Sequence, residues 1–116
     1  MAYLVKNAHV YAPEDLGIRD VLVVNDRIVA IDSALSVALP NLEVIDARGL
    51  IMTPGFFDQH IHVTGGGGEA GPVSRPPELM LSELIRVGTT CVVGVLGTDF
   101  ISRSVENLLA KVRGLT

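Results

Sequence analysis

One cysteine and a shortage of positive charge set the first limits on this chain. Cys91 stands alone, so neither a disulfide framework nor a cysteine-ligated zinc site is available. Within the apolar run Cys91-Val92-Val93 it reads as a buried thiol. Nine Lys and Arg against thirteen Asp and Glu give a formal charge of -4. No basic face for nucleic acid is therefore expected. No apolar run approaches the roughly 18 residues of a membrane span. The segment Met1-Ala2-Tyr3-Leu4-Val5-Lys6-Asn7 lacks the charged and then apolar regions of a secretory signal. No membrane partner is expected, and a cytoplasmic protein fits best. The Gly-Lys-Ser/Thr phosphate loop is also missing.

What is present favours a core. Hydrophobic residues make up 48% and charged residues 19%, with a mean hydropathy of +0.44. That balance suits a buried α/β chain better than a disordered one, and 116 residues suffice for one domain.

The rhythm of the chain changes near residue 54. Residues 1–53 read as a small antiparallel β domain. A strand over residues 4–10 is followed by a turn at Pro13-Glu14-Asp15-Leu16-Gly17. Strands over 21–24 and 27–31 flank Asn25-Asp26, a two-residue hairpin loop tolerant of positive φ. A loop over 33–40, a strand over 42–45 and a break at Gly49 complete it. Residues 54–116 alternate differently. A strand over 57–63 precedes a helix over 77–87, with Leu79, Leu81, Leu84 and Ile85 as its apolar side. A β-branched strand over 89–96 precedes a helix over 104–113, striped by Val105, Leu108, Leu109 and Val112. Strand, helix, strand, helix predicts parallel strands joined by right-handed crossovers. In a (β/α)8 barrel, which needs about 250 residues, these would be the first two units, leaving the barrel incomplete.

Chemistry concentrates between Pro54 and Pro72. His60 and His62 alternate on a predicted strand, so both imidazoles leave one face, with Cα atoms about 7 Å apart. Both rings can then converge on one cation. Asp58 shares their parity and could orient a ligand from behind. A solvated edge strand would satisfy the same three groups without a metal. The run Gly65-Gly66-Gly67-Gly68-Glu69-Ala70-Gly71-Pro72 follows this strand at the end where barrel enzymes build active sites. Its glycines would leave backbone N–H groups open to a ligand, or form a floppy surface loop. Glu69 would receive an ammonium group or stand as a solvated acid. Thr98 and Asp99, after the next strand, fall at the same end; either would face the cavity or cap the second helix.

A dinucleotide-binding fingerprint is a poor match. Gly65-x-Gly67-x-x-Ala70 has the spacing, but Pro72, Pro76 and Pro77 delay the helix that should open there. Asp99 also lies well beyond the usual spacing of about 20 residues for the ribose-binding acid.

The segment Pro54-Gly55-Phe56-Phe57-Asp58-Gln59-His60-Ile61-His62 resembles the first-strand signature of the amidohydrolase superfamily. Dihydroorotases, hydantoinases and D-aminoacylases share that signature. A narrower resemblance, to β-aspartyl (isoaspartyl) dipeptidases, rests on residues 65–72, Val93-Gly94-Val95-Leu96-Gly97-Thr98-Asp99, Ile101-Ser102-Arg103 and His9-Val10-Tyr11-Ala12-Pro13-Glu14-Asp15. The resemblance implies hydrolysis of the isoaspartyl bond of small dipeptides by a metal-bound hydroxide. It implies two zinc ions, with His60 and His62 binding one of them. Separately, open strand edges and the uncovered apolar stripes of Leu79, Leu84, Leu108 and Leu109 predict a homo-oligomer. Gly67, Gly68 and Glu69 would hold the substrate's α-amino end, and Thr98 would line the pocket. The bridging lysine, two more histidines and the catalytic aspartate belong to later barrel strands, beyond Thr116. Neither Lys6 nor Lys111 falls at a strand end, so neither is the bridging lysine. The chain alone is then expected to be inactive. A non-catalytic β/α module is the rival expectation.

Overall fold

A computed structural model describes residues 1–99 and 101–115. The chain divides into two units, Met1–Pro54 and Gly55–Thr116.

The first unit is one sheet built around its first strand. β1 (Ala2–Tyr11) pairs antiparallel with β2 (Asp15–Val24), which pairs antiparallel with β3 (Arg27–Asp32). Asn25, at φ 55, makes the β2–β3 turn that its residue type favours. β4 (Leu42–Asp46) and β5 (Ile51–Met52) both run parallel to β1. The sheet is therefore mixed, not antiparallel as its hairpins suggest. Residues 33–41 return the chain to the far side of β1, so β4 enters in the direction of β1. Ala8, Val10, Val21 and Ala47 form the core of this unit.

A buried aspartate organises the middle of that sheet. Asn7, at φ 62, sits where the β1–β2 register shifts. Its N–H donates to Asp20 Oδ1 at 2.9 Å, and the Leu35 N–H donates to Oδ2 at 2.9 Å. Lys6 Nζ lies 3.5 Å from the same carboxylate. The Leu35 bond foremost, then Asn7 and Lys6, hold the Asp20 carboxyl below its ordinary range. One side chain thus fixes the irregularity in β1 and the start of the crossover to β4.

The second unit has a different plan. β6 (Phe56–Ile61) and β7 (Thr89–Gly94) pair in parallel, joined through α1 (Leu81–Arg86). α2 (Val105–Gly114) follows β7. This is the mixed α/β arrangement the alternation predicts. α1 is shorter than the apolar spacing suggests, because Pro76 and Pro77 keep the chain extended. Glu83 then caps it by accepting the Met80 N–H at 2.7 Å. Ser104 caps α2, its hydroxyl accepting the Asn107 N–H at 3.2 Å. Leu84 buries its side chain, whereas Ile85 and Leu109 stay exposed. Cys91 is exposed too, contrary to the buried thiol expected. It shares strand parity with the exposed Val93, on the opposite side from the better covered Val92 and Gly94. Among the described residues, no helix is long and apolar enough to cross a membrane.

Candidate active site

The site residues gather at the C-terminal ends of β6 and β7. Beyond Ile61 the ladder persists for one more bond, Val95 N–H to the Ile61 carbonyl at 2.9 Å. His60 and His62 emerge together there. Their ring centroids lie 5.3 Å apart, with planes at 84°. His60 is exposed and His62 half-buried. His62 packs between glycines: a Cβ on Gly66 would meet its ring at 3.5 Å, and one on Gly97 would lie 3.6 Å from Nδ1. That Nδ1 is buried and has no hydrogen-bond partner. An orphaned imidazole nitrogen beside a second imidazole is the donor chemistry a divalent cation satisfies. Two imidazoles could supply two ligands of a coordination shell. Among the described residues, no third His, Cys, Asp or Glu converges with them. Asp58 lies further back on β6, and its Oδ1 accepts the backbone N–H of His60 at 3.0 Å. It braces the strand at His60 rather than an imidazole ring.

The glycine run is ordered by its own chain. The Gly65 N–H donates to the His62 carbonyl at 2.9 Å and the Gly71 N–H to the Gly68 carbonyl at 3.1 Å. Ser74 Oγ accepts from Gly68 and Ala70 N–H at 3.1 and 3.2 Å, and donates to the Gly71 carbonyl at 2.9 Å. The Gly68 N–H is thus consumed inside the loop, not offered to a ligand. The glycines are needed because the loop folds against residues 74–77. A Cβ on Gly67 would meet the Ser74 carbonyl at 2.1 Å, and one on Gly65 the Pro76 carbonyl at 2.4 Å.

This compact loop presents Glu69 to Thr98. The Thr98 hydroxyl reaches Glu69 Oε1 at 2.9 Å and the Gly67 carbonyl at 3.3 Å. The Glu69 backbone N–H, the Thr98 hydroxyl and then the nearby His62 lower the carboxyl's pKa. Glu69 therefore stays ionised at neutral pH, as a receptor for an ammonium must.

Arg75, Ser102 and Arg103, to which the sequence alone gives no role in the site, complete the surround. Arg75 Nε pairs with Asp99 Oδ2 at 2.9 Å. Arg75, Asp99, Gly68, Thr98 and Ser102 share the lining of a cleft of about 330 Å³. Asp99 thus lines the cleft with its carboxylate engaged by Ser102 and Arg75, and Ser104 rather than Asp99 caps α2. Arg103 is buried and donates to the carbonyls of Gly66 and Pro76. The lysines stand elsewhere, Lys6 against Asp20 and Lys111 against Glu78 at 3.2 Å. In the sequence Arg103 stands out only within the segment Ile101-Ser102-Arg103, and Arg75 not at all, because an arginine beside prolines or before a helix usually points to solvent.

Residues 43–86 match the Amidohydrolase family. The solved β-aspartyl dipeptidase of the thermophilic, keratin-degrading Fervidobacterium islandicum AW-1 superposes with a TM-score of 0.88 and 46% identity, over 99% of this chain. The chain belongs to the amidohydrolase family. This amidohydrolase chain spans 32% of that solved chain. The same enzyme in complex with a β-Asp-Leu dipeptide gives a TM-score of 0.86 and 45% identity, over 99% of this chain and 30% of its own. Among curated relatives, the dihydroorotase of Aquifex aeolicus is 37% identical over 92 residues, 78% of the amidohydrolase chain and 19% of the relative.

Proposed function

We propose that the chain carries the opening strands of a zinc-dependent β-aspartyl dipeptidase, which hydrolyses the isoaspartyl bond of small dipeptides bearing a free amino terminus. One observation carries this reading. An ionised Glu69, steadied by Thr98, sits within electrostatic reach of His62, whose ring lies edge-on to that of His60. An ammonium receptor beside a candidate metal site is what a dipeptidase needs. The 46% identity to a β-aspartyl dipeptidase across 99% of the chain supports the same substrate class. In this reading β6-α1-β7-α2 are the first two units of a (β/α)8 barrel, and the preceding sheet is part of a small β domain. A cytoplasmic, homo-oligomeric enzyme belongs to the same proposal.

His60 and His62 would hold one zinc of a two-metal centre. The bound metal supplies Lewis-acid activation of the scissile carbonyl and of water. The chain's own residues bind and orient. Glu69 takes the substrate ammonium, and the Gly67 carbonyl offers it a second acceptor. Thr98 keeps the Glu69 carboxylate from rotating by donating to Oε1. Asp58 holds the backbone at His60, which fixes that ring's origin.

A second reading, cyclic-amide hydrolysis, is favoured by the 37% identity to the A. aeolicus dihydroorotase. A cyclic amide of that kind has no ammonium for Glu69 to bind, so one substitution separates the two. Glu69→Gln in the complete enzyme is expected to lower kcat/KM for β-Asp-Leu by roughly 10- to 100-fold, the scale of one hydrogen bond to a charged group. Bound zinc should not change. Wild type should reject the N-acetylated dipeptide, and the variant should reject it much less. Equal tolerance of acetylation by both proteins would remove Glu69 from substrate binding and sink the dipeptidase reading.

A further inference from the structure

The glycine loop is clamped at its base by a charge that the proposed chemistry does not use. Arg103 lies between β7 and α2 and is only 7% exposed. Among the described residues it meets no carboxylate. Nη1 donates to the Gly66 carbonyl at 3.2 Å, and Nη2 to the Pro76 carbonyl at 3.3 Å. Burying a guanidinium without a counter-ion is costly, and neutral carbonyls offset only part of that cost. The return is geometric. One planar fork holds two carbonyls at opposite ends of the segment that contains Gly67, Gly68, Glu69 and Ser74. The segment between becomes a closed hoop, filled by the hydrogen bonds of Ser74. Gly65 makes room for the clamp, since a Cβ there would lie 2.8 Å from Nη2.

The same loop that carries Arg103 also carries Thr98. It therefore grips the hoop twice, at its base through the guanidinium and near Glu69 through the hydroxyl. We propose that Arg103 is a positioning residue for the amino-terminus site: it holds the glycine hoop in the conformation in which Glu69 meets Thr98. It thereby sets discrimination in favour of a free ammonium without touching the substrate. This inference rests on the reading of Glu69 as the ammonium receptor. A lysine at position 103 keeps the charge but reaches one carbonyl at a time, so it should restore part of the function. A methionine keeps most of the volume and restores none.

The test compares Arg103→Met, Arg103→Lys and Glu69→Gln in the complete enzyme, on β-Asp-Leu and its N-acetyl derivative, with bound zinc measured in each. In Arg103→Met the ratio of kcat/KM for the free over the acetylated dipeptide should fall about 10- to 100-fold, the scale of a displaced binding group. The fall should come mainly through KM for β-Asp-Leu, with zinc unchanged. Arg103→Lys should lie between this variant and wild type. A purely structural arginine would lower stability and leave the ratio alone. If Arg103→Met does not fold, Arg103→Lys decides, a reduced ratio supporting the proposal and a wild-type ratio overturning it. Discrimination lost in Glu69→Gln but intact in both Arg103 variants overturns this inference alone. A wild type that treats both dipeptides alike overturns the Glu69 reading and this one with it.

Discussion

Asp99 shows how one side chain can carry both loop geometry and pH sensitivity. Its carboxyl is lowered to about 2, first by the Ser102 hydroxyl and N–H and then by the Arg75 guanidinium. A depressed carboxyl stabilises the folded chain in its ionised form. That contribution is complete above the ordinary value of 3.8 and is lost as pH falls through about 2. Asp99→Asn keeps one acceptor oxygen but forfeits the charge facing Arg75. Melting temperatures of wild type and Asp99→Asn, followed from about pH 5 down to about pH 2.5, should therefore differ most at the upper end and converge toward the lower. A gap that does not narrow with acid would mean that the carboxylate charge contributes nothing there. Glu69 is shifted in the same direction, so it too is ionised at neutral pH, where a substrate amine is protonated.

At the scale of elements, what could be read in the sequence was what local physics determines. Asn25-Asp26 selects a hairpin whatever surrounds it, and β2 and β3 pair accordingly. The 3.6-residue and two-residue periods separate α2 from β6 and β7, and their alternation implies the parallel pair. Partner choice at long range was not legible. Nothing in residues 42–46 distinguishes a strand that joins β1 in parallel from one that joins β3 antiparallel, because each leaves the same alternation of faces. The glycine run was legible as a special loop, yet not in its reason. Composition shows where side chains are missing. Only the fold shows that residues 74–77 and the Arg103 guanidinium occupy the space. The meeting of Thr98 with Glu69 likewise depends on the loop's path, since sequence places each only at the end of a neighbouring strand.

Two glycine substitutions separate backbone need from ligand approach. Gly67 has φ 73, and an added Cβ would strike the Ser74 carbonyl, which the 3₁₀ turn at Pro72–Ser74 holds in place. Gly67→Ala should cost at least the about 1–2 kcal/mol of a left-handed non-glycine residue, and more for the clash. A Cβ on Gly66 meets the His62 ring only at ordinary contact distance. Gly66→Ala should therefore leave chemical denaturation within about 0.5 kcal/mol of wild type. Equal loss of stability in both would show that backbone strain does not set the loop.

For the whole molecule, the decisive quantities are uncovered apolar surface and unpaired strand edges. β6 and β7 make a two-stranded sheet, which is marginal without further strands or a covering layer. Phe56 and Phe57 on β6 are 61% and 55% exposed, and Val105 and Leu109 on α2 are 64% and 48% exposed. Leu81, Leu84, Ile85, Cys91 and Val112 line an open trough of about 380 Å³ in the same unit. Apolar patches and open edges of this kind drive pairing with another copy or with further strands. The site has a parallel shortfall. A catalytic zinc takes three protein ligands and a water, and beyond His60 and His62 the remaining histidine, His9, lies on β1 of the other unit, bonded to Asp15. The 116-residue chain taken by itself should therefore sediment as a dimer or larger species, bind zinc weakly, and leave β-Asp-Leu intact. Sedimentation velocity, zinc titration and a dipeptide assay on one preparation check all three. Of the possible results, a monodisperse monomer that hydrolyses β-Asp-Leu is the most damaging. It would mean that two imidazoles complete the metal centre, and that β6 and β7 need no neighbours to hold them.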